Sequence, residues 1–405
     1  MRVITDIFRI CHNEIKTIMH DAGILTFIVI VPILYPLMYA YVYTNEAVRN
    51  VPAAIVDECD SRLSREFVRN MDASAEVEIA ARCNSMSEAQ ELMRRGKVYG
   101  IINIPSSFGT DIEHGGQTTI GLYCDMSSML YYKALLITAT NVSLEMNNDI
   151  KVERHITGTT DAQDRISKTP IEYDYIPLYN PQSGFAAFLI PPVLMLIIQQ
   201  TLLLGIGMSM GDTREKYAGR VIPSDSCYNS PISIVAGKML PFLLLYLLIA
   251  VYMFIVVTDI FSLPKLGDYA TYMTFAAVYI ISCIFFGMTL SFFVYRREDC
   301  IFLFVFMSVP LLFLSGISWP GASVPPFWKY VSYLFPSTFG TNGYVRINSM
   351  GASLSDVAFE LKGLMIQSIV YFTTACLLYR RQIVCRLPQK RTDNKWTTNT
   401  NFTVR

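Results

Sequence analysis

The side chains able to do covalent or metal chemistry are few and scattered. The four histidines (His12, His20, His114 and His155) share no His-x-x-x-His spacing, and the nine cysteines include no Cys-x-x-Cys pair. Neither pattern offers the ligand set that a zinc site needs. A membrane hydrolase would need a His/Asp/Glu cluster or an activated serine, and the apolar stretches hold none. No Gly-x-x-x-x-Gly-Lys-[Ser/Thr] loop occurs, so ATP has no P-loop to bind here. What remains is charge. Gly211-Asp-Thr-Arg-Glu-Lys-Tyr-Ala-Gly-Arg220 concentrates Arg214, Glu215, Lys216 and Arg220 around Tyr217. On their own such charges read as anchors of the neighbouring helix at the membrane surface.

The elements that position this loop are apolar. Of the 405 residues 52% are hydrophobic and 16% charged. About 20 apolar residues cross the ~30 Å hydrocarbon core as a helix. Such stretches fall at 22–43 and at roughly 184–210, 234–258, 269–295, 300–317 and 358–379. The expected fold is therefore a polytopic α-helical membrane protein of six transmembrane helices. The first stretch is too long for a signal-peptide core and lacks a clear cleavage site, so it reads as a retained helix. Pro32, Pro36 and Pro191–Pro192 should kink their helices. Gly205, Gly207 and Gly211 are small enough for close packing in a dimer.

Net charge is zero overall but unevenly shared. Residues 44–180 hold 13 Lys/Arg against 20 Asp/Glu, leaving the remainder at +7. Arg2, Arg9, Lys16, Arg214, Lys216, Arg220, Arg296, Arg297 and the basic residues after 379 all fall on one side of a six-span topology. By the positive-inside rule that side is cytoplasmic, with both termini on it and the acidic insert outside. Ionisable residues are expected to be absent from the spans, with Asp259, Glu360 and Lys362 at their outer edges, which argues against ion-gradient coupling.

Five segments follow: a cytoplasmic interfacial helix at 1–21, the first span at 22–43, an extracytoplasmic domain at 44–180, spans two to six within 184–379, and a cytoplasmic tail at 380–405. In the first, Ile4, Ile7, Phe8, Cys11, Ile15, Ile18 and Met19 recur at helical spacing, an amphipathic helix for the inner leaflet or for a partner. The insert alternates strand-like runs (51–56, 77–81, 98–104, 118–123) with helical ones (60–71, 87–95, 128–156), indicating a small α/β domain. Its Cys59, Cys83 and Cys124 are an odd set that admits at most one pair. Residues 157–169 read as an exposed strap. Residues 315–346, broken by prolines and rich in aromatics, read as a re-entrant or interfacial helix pair.

The stretch Ser315–Thr338 resembles the signature after the fifth span of ABC-2 type transporter permeases: Ser315-Gly316, then Pro320, Pro326-Phe327 with Trp328, and Pro336. The large domain after span one is similar to one branch of that family, as is the strand-Pro-x-x-Phe run Ile102–Phe108. The 211–220 loop resembles the segment that docks the ATPase, although Tyr217-Ala-Gly219 stands where the family often has a Glu-rich run followed by Gly-Thr. Ser230-Pro231 and Gly237-Lys238 also recur in the family pattern.

The resemblance implies a permease with no cofactor of its own, ATP and Mg being held by separate cytoplasmic ABC ATPase subunits. It implies a second permease copy, identical or not, and a bacterial cytoplasmic (inner) membrane; a periplasmic adaptor is a further candidate partner. Nucleic acid has no place in this reading. The function expected is an exporter moving an apolar or amphipathic compound outward, the class that uncharged spans suit. The competing reading is a sensor or assembly scaffold that presents the acidic domain without transport.

Overall fold

The computed structural model describes residues 2–43, 48–154, 179–180, 184–217, 219–223, 228, 230–316, 319 and 323–384. The expected strap at 157–169 and most of the tail lie outside them. In chain order the elements are α1 (Arg2–His20), α2 (Ala22–Leu25), α3 (Val31–Val42), β1 (Val51–Asp57), α4 (Arg62–Asp72), β2 (Val77–Cys83), α5 (Met86–Arg94), β3 (Gly100–Ile104), α6 (Phe108–Glu113), β4 (Gly121–Cys124) and α7 (Met129–Arg154). There follow α8 (Phe185–Lys216), α9 (Pro231–Val251), α10 (Thr258–Ile260), α11 (Tyr269–Leu290), α12 (Arg297–Leu314), α13 (Pro326–Ser332), α14 (Pro336–Met350) and α15 (Ala358–Val384). They divide into two compact units, residues 47–176 and the rest.

The helical unit is built around α8, which is buried along most of its length. Five helical stretches among the described residues are long and apolar enough to span a bilayer: Ala22–Val42, Phe185–Lys216, Pro231–Ile260, Tyr269–Phe293 and Ala358–Val384. The remaining expected span, 300–317, is α12. Its helix begins on Arg297, Glu298 and Asp299, so only Cys300–Leu314 is charge-free. At 1.5 Å per residue that part is about 22 Å long, short of the hydrocarbon core.

The first span adapts to its proline. Pro32 has no N–H and its ring crowds the carbonyl four residues back. The preceding turn, Thr26–Ile30, is widened to π geometry, with Val31 N–H bonding to Thr26 O. Gly205 and Gly211 of α8 serve packing inside this chain. A Cβ on Gly205 would lie 2.3 Å from Ile28 Cγ1, and one on Gly211 would lie 3.0 Å from Arg297 N. The close approach they permit is to the chain's own first span and to the start of α12.

The α/β unit carries a four-stranded sheet in the order β2-β1-β3-β4, the first three parallel and β4 antiparallel. Strand β1 is buried on both faces, as central parallel strands are. Val51, Ala53 and Ile55 pack with Phe67, Val68 and Met71 of α4 and Leu135, Val142 and Met146 of α7. Ala54 and Val56 face Ala89 of α5. Ser61 caps α4 by accepting from Ser64 N–H at 3.1 Å, and Ser85 caps α5 by accepting from Glu88 N–H at 3.3 Å. Helix α6, a single short turn and a half after Pro105, is absent from the sequence reading: six residues carry too little periodicity to register.

Candidate functional site: a charged junction of helix ends

Six helix ends meet in one layer of the helical unit: the C-terminus of α8, the start of α9, the end of α11, the start of α12, the end of α15, and the entry to α2. Helix α1 packs along the start of α9 and reaches α8 through Glu14. Its buried side is Ile10, Cys11, Glu14 and Ile18, whereas Ile4, Phe8, Ile15 and Met19 are exposed. The apolar set expected to form one face is therefore split in two. The inward half meets α9, where a Cβ on Gly237 would stand 2.8 Å from Ile10 Cβ.

Glu14 is the centre of this contact. Its side chain and that of Lys238 are each 7% exposed, with Lys238 Nζ donating to Glu14 Oε2 at 2.8 Å. Ser209 Oγ of α8 donates to Glu14 Oε1. One carboxylate thus ties α1, α8 and α9 together, with both of its oxygens bonded, as a buried charge requires. Lys238 lies within the expected span 234–258, so the expectation of charge-free spans is corrected here. It is tolerated because Glu14 from α1 neutralises it.

A second tie joins the first span to α8 and α12. Asp21 caps α2, its Oδ1 accepting from Gly23 N–H at 2.9 Å and Ile24 N–H at 3.1 Å. Its Oδ2 accepts from Arg297 Nη2, and Arg297 Nη1 lies 3.8 Å from Asp212 Oδ1. Burial works to raise the Asp21 pKa, but the bonds from Ile24 N–H, Arg297 and Gly23 N–H outweigh it and hold the carboxyl below its usual range.

The residues singled out in the 211–220 loop separate into two groups. Arg214 is buried, at 6% exposure. Its guanidinium donates to Val294 O and Phe292 O and stacks 4.9 Å over the Tyr295 ring, while Nε finds no acceptor. It holds the short link between the end of α11 at Leu290 and the start of α12 at Arg297. Glu215 accepts from Arg297 N–H at 3.1 Å. Lys216 donates to Asp212 Oδ2 at 2.7 Å yet leaves its side chain 62% exposed, and Tyr217 is 41% exposed. Arg220 is exposed as well. Arg214 and Glu215 hold the junction; Lys216, Tyr217 and Arg220 present its surface.

The Ser315–Pro336 residues mark helix boundaries. Ser315 ends α12 and Gly316 follows at φ 85°, the left-handed conformation that lets a chain leave a helix. Pro326 and Pro336 open α13 and α14, where a missing N–H costs nothing. Phe327 and Trp328 are exposed and stack edge to face at 5.4 Å. Pro320 lies outside the described residues. At the opposite end from the junction, Asn348 of α14 accepts from Tyr272 Oη at 3.2 Å and donates to Pro264 O at 3.2 Å, while Arg346 pairs with Glu360 at 3.0 Å.

Glu14, Asp21, Ser209 and Asp212 were not singled out from sequence, and Lys238 and Arg297 were noted only as part of a family pair and of the one-sided basic charge. The available signal was a lone lysine inside an apolar run and a lone acid on the inward side of an amphipathic helix. Among the described residues no His/Cys/Asp/Glu group suits a metal ion.

The sequence is similar to known proteins. The profile of a family described as ABC-2 family transporter protein matches residues 22–377. ABC transporter G family member 20 of Dictyostelium discoideum is 25% identical over 283 residues, covering 67% of this chain and 36% of that protein. The chain therefore spans about a third of that relative's length. With its long apolar helices, inserted α/β unit and matched profile from the first span to the last, this chain belongs to the ABC-2 transporter family of multi-pass membrane proteins.

Proposed function

We propose that this chain is the permease subunit of an ATP-driven exporter, working with separate cytoplasmic ABC ATPase subunits that hold ATP and Mg and with a second permease copy. The observation that carries the reading is the junction. The starts of the first span, α9 and α12 and the ends of α8, α11 and α15 lie together there, as a chain crossing six times would place them. Helix α12 is then the fifth crossing, short because the chain continues through Ser315–Gly316 into α13 and α14.

The junction side carries the basic excess and is cytoplasmic in this reading, in a bacterial inner membrane. An ATPase docked on Lys216, Tyr217 and Arg220 would push on a surface tied to every span. The cargo would be apolar or amphipathic and move outward; Lys238, the charge inside the expected span 234–258, is already neutralised by Glu14 and leaves no cation free for an anionic cargo.

The test is the ATPase activity co-purifying with tagged full chain in mild detergent. Lys216→Glu/Tyr217→Ala should release the ATPase while the permease stays folded. Arg214→Glu instead should destabilise the permease itself, because it places an anion against two carbonyl oxygens. An ATPase that never accompanies the wild-type chain, or that binds the Lys216/Tyr217 variant unchanged, refutes the reading and favours a scaffold or sensor.

A further inference from the structure

We propose that the outward side of α1 is a docking surface for anionic phospholipid, with acyl chains along one line of its side chains and phosphates along the next. The inference rests on the chain's place in a family of membrane proteins, not on the exporter reading.

Helix α1 carries three lines of side chains, and the molecule itself uses only one. Ile10, Cys11, Glu14 and Ile18 are buried, with Glu14 held by Lys238 and Ser209. Ile4, Phe8, Ile15 and Met19 form a second line and are all exposed. Spacings of four, seven and four residues keep them on one side of the helix. Arg9, Lys16 and His20 each follow a member of that line by one residue, so a basic line runs beside the apolar one, about 100° further round. His12 joins it between Arg9 and Lys16, and all four basic side chains are exposed. No carboxylate pairs with Arg9 or Lys16 among the described residues.

The depth of the helix is set by what it touches. Its C-terminal end passes through Asp21 into the first span, and its middle lies against Gly237 and Lys238. Those residues stand six and seven positions past Pro231, where α9 begins, or about 10 Å along its axis. Amphipathic helices that lie in a membrane surface sink their apolar side about 5–10 Å into the boundary between headgroups and acyl chains. Held at that depth, α1 offers Ile4, Phe8, Ile15 and Met19 to acyl chains and Arg9 and Lys16 to phosphates.

Charge decides which lipid. An apolar line alone would accept any phospholipid. Glu14 is neutralised inside the junction, which leaves Asp6 against Arg9 and Lys16 on α1. Basic side chains beside a bilayer are drawn to anionic headgroups. Because Glu14 ties α1 to α8 and α9, lipid bound outside stabilises the junction within by mass action.

The experiment is thermal unfolding of the purified full chain in uncharged detergent, titrated with dioleoylphosphatidylglycerol or with dioleoylphosphatidylcholine. Phosphatidylglycerol should raise the midpoint further than phosphatidylcholine does, and high salt should shrink the difference. Arg9→Gln/Lys16→Gln should need roughly tenfold more phosphatidylglycerol for the same rise, while an unchanged midpoint in detergent alone shows that its fold is intact. Phe8→Gln/Ile15→Gln should blunt the response to both lipids. Equal rises with the two lipids, or an Arg9/Lys16 variant that responds like the wild type, overturn the assignment. So does a rise reproduced by inorganic phosphate, which would mark a free-anion site. Protection of residues 2–20 from protease by a co-purifying ATPase, independent of lipid, would give this face to a protein and overturn it as well. The ATPase test on Lys216 and Tyr217 is read without added lipid, so the two proposals fail separately.

Discussion

Replacing Lys238 by Met should do more damage than its chemistry suggests. Both members of the Glu14–Lys238 pair are 7% exposed, so removing the lysine leaves a carboxylate in a layer that water does not reach. Breaking a buried pair costs about 3–5 kcal/mol, whereas replacing both members by apolar residues of similar volume is often neutral or stabilising. Glu14 would keep only the bond from Ser209 Oγ, and one hydroxyl contributes about 1 kcal/mol net. Lys238→Met should therefore lose most of the 3–5 kcal/mol. At about 2–4 °C per kcal/mol for a unit of this size, the midpoint of thermal unfolding in detergent should fall by roughly 6 °C or more. Glu14→Leu alone should be milder, because lysine reaches outward along its flexible stem. Glu14→Leu/Lys238→Met should recover to within about 1 kcal/mol of the wild type. The assay is scanning fluorimetry on the four proteins of the cycle, with size-exclusion recovery after heating as a second readout. A tolerated Lys238→Met, or a double variant that loses the sum of the single losses, would refute a buried pair at this position.

Two further outcomes follow from the junction. Gly237→Ala should lift α1 from α9, because its Cβ would meet Ile10 Cβ and Cγ2 at 2.8 Å and the Ile7 carbonyl oxygen at 3.0 Å. The expected loss is about 1–3 kcal/mol, read as faster proteolysis within residues 2–20; an unchanged digestion pattern would count against the packing. Asp21 supplies a pH dependence. Its folded-state pKa lies below the ordinary aspartate value of about 4, so its stabilisation is present above that value and is lost as pH falls from about 4 through the depressed pKa. Asp21→Asn should lower stability at pH 7 and remove that part of the acid-induced decline; identical acid profiles for the two proteins would sink the assignment.

The spans were legible because length and hydropathy alone decide them, and five satisfy both. The expected span at 300–317 is not among those five: α12 starts three residues before its apolar run, on Arg297, Glu298 and Asp299. Hydropathy sees the run but not that the helix begins with charge. The α/β insert was legible from alternating strand and helix patterns with serine caps. Helix α1 shows the limit of periodicity. Its spacing identified a helix with an apolar side, but only tertiary packing divides Ile10 and Ile18 from Phe8 and Met19. Likewise, composition marks 211–220 as charged, yet the direction in which the last turn of α8 faces decides that Arg214 turns in and Lys216 turns out.

That direction bears on how such a junction could transmit force. A loop whose charges all faced outward could be displaced without moving the helix behind it. Here the buried half of the loop prevents that. Arg214 is bonded to the Phe292 and Val294 carbonyls in the link that follows α11, Glu215 to the backbone that starts α12, and Asp212 lies within ion-pair reach of the arginine that caps onto the first span. One turn earlier, Ser209 reaches the carboxylate that holds α1 and α9. Two successive turns of α8 are thus fastened to five other segments, most of them through charged or charge-assisted bonds that are costly to break when buried. Displacing the exposed Lys216–Tyr217 surface by an ångström therefore has to move several helix ends together or break one of these ties. Docking residues and bracing residues are then distinguishable by experiment: the first should lose a partner with stability intact, and the second should lose stability before any partner is considered.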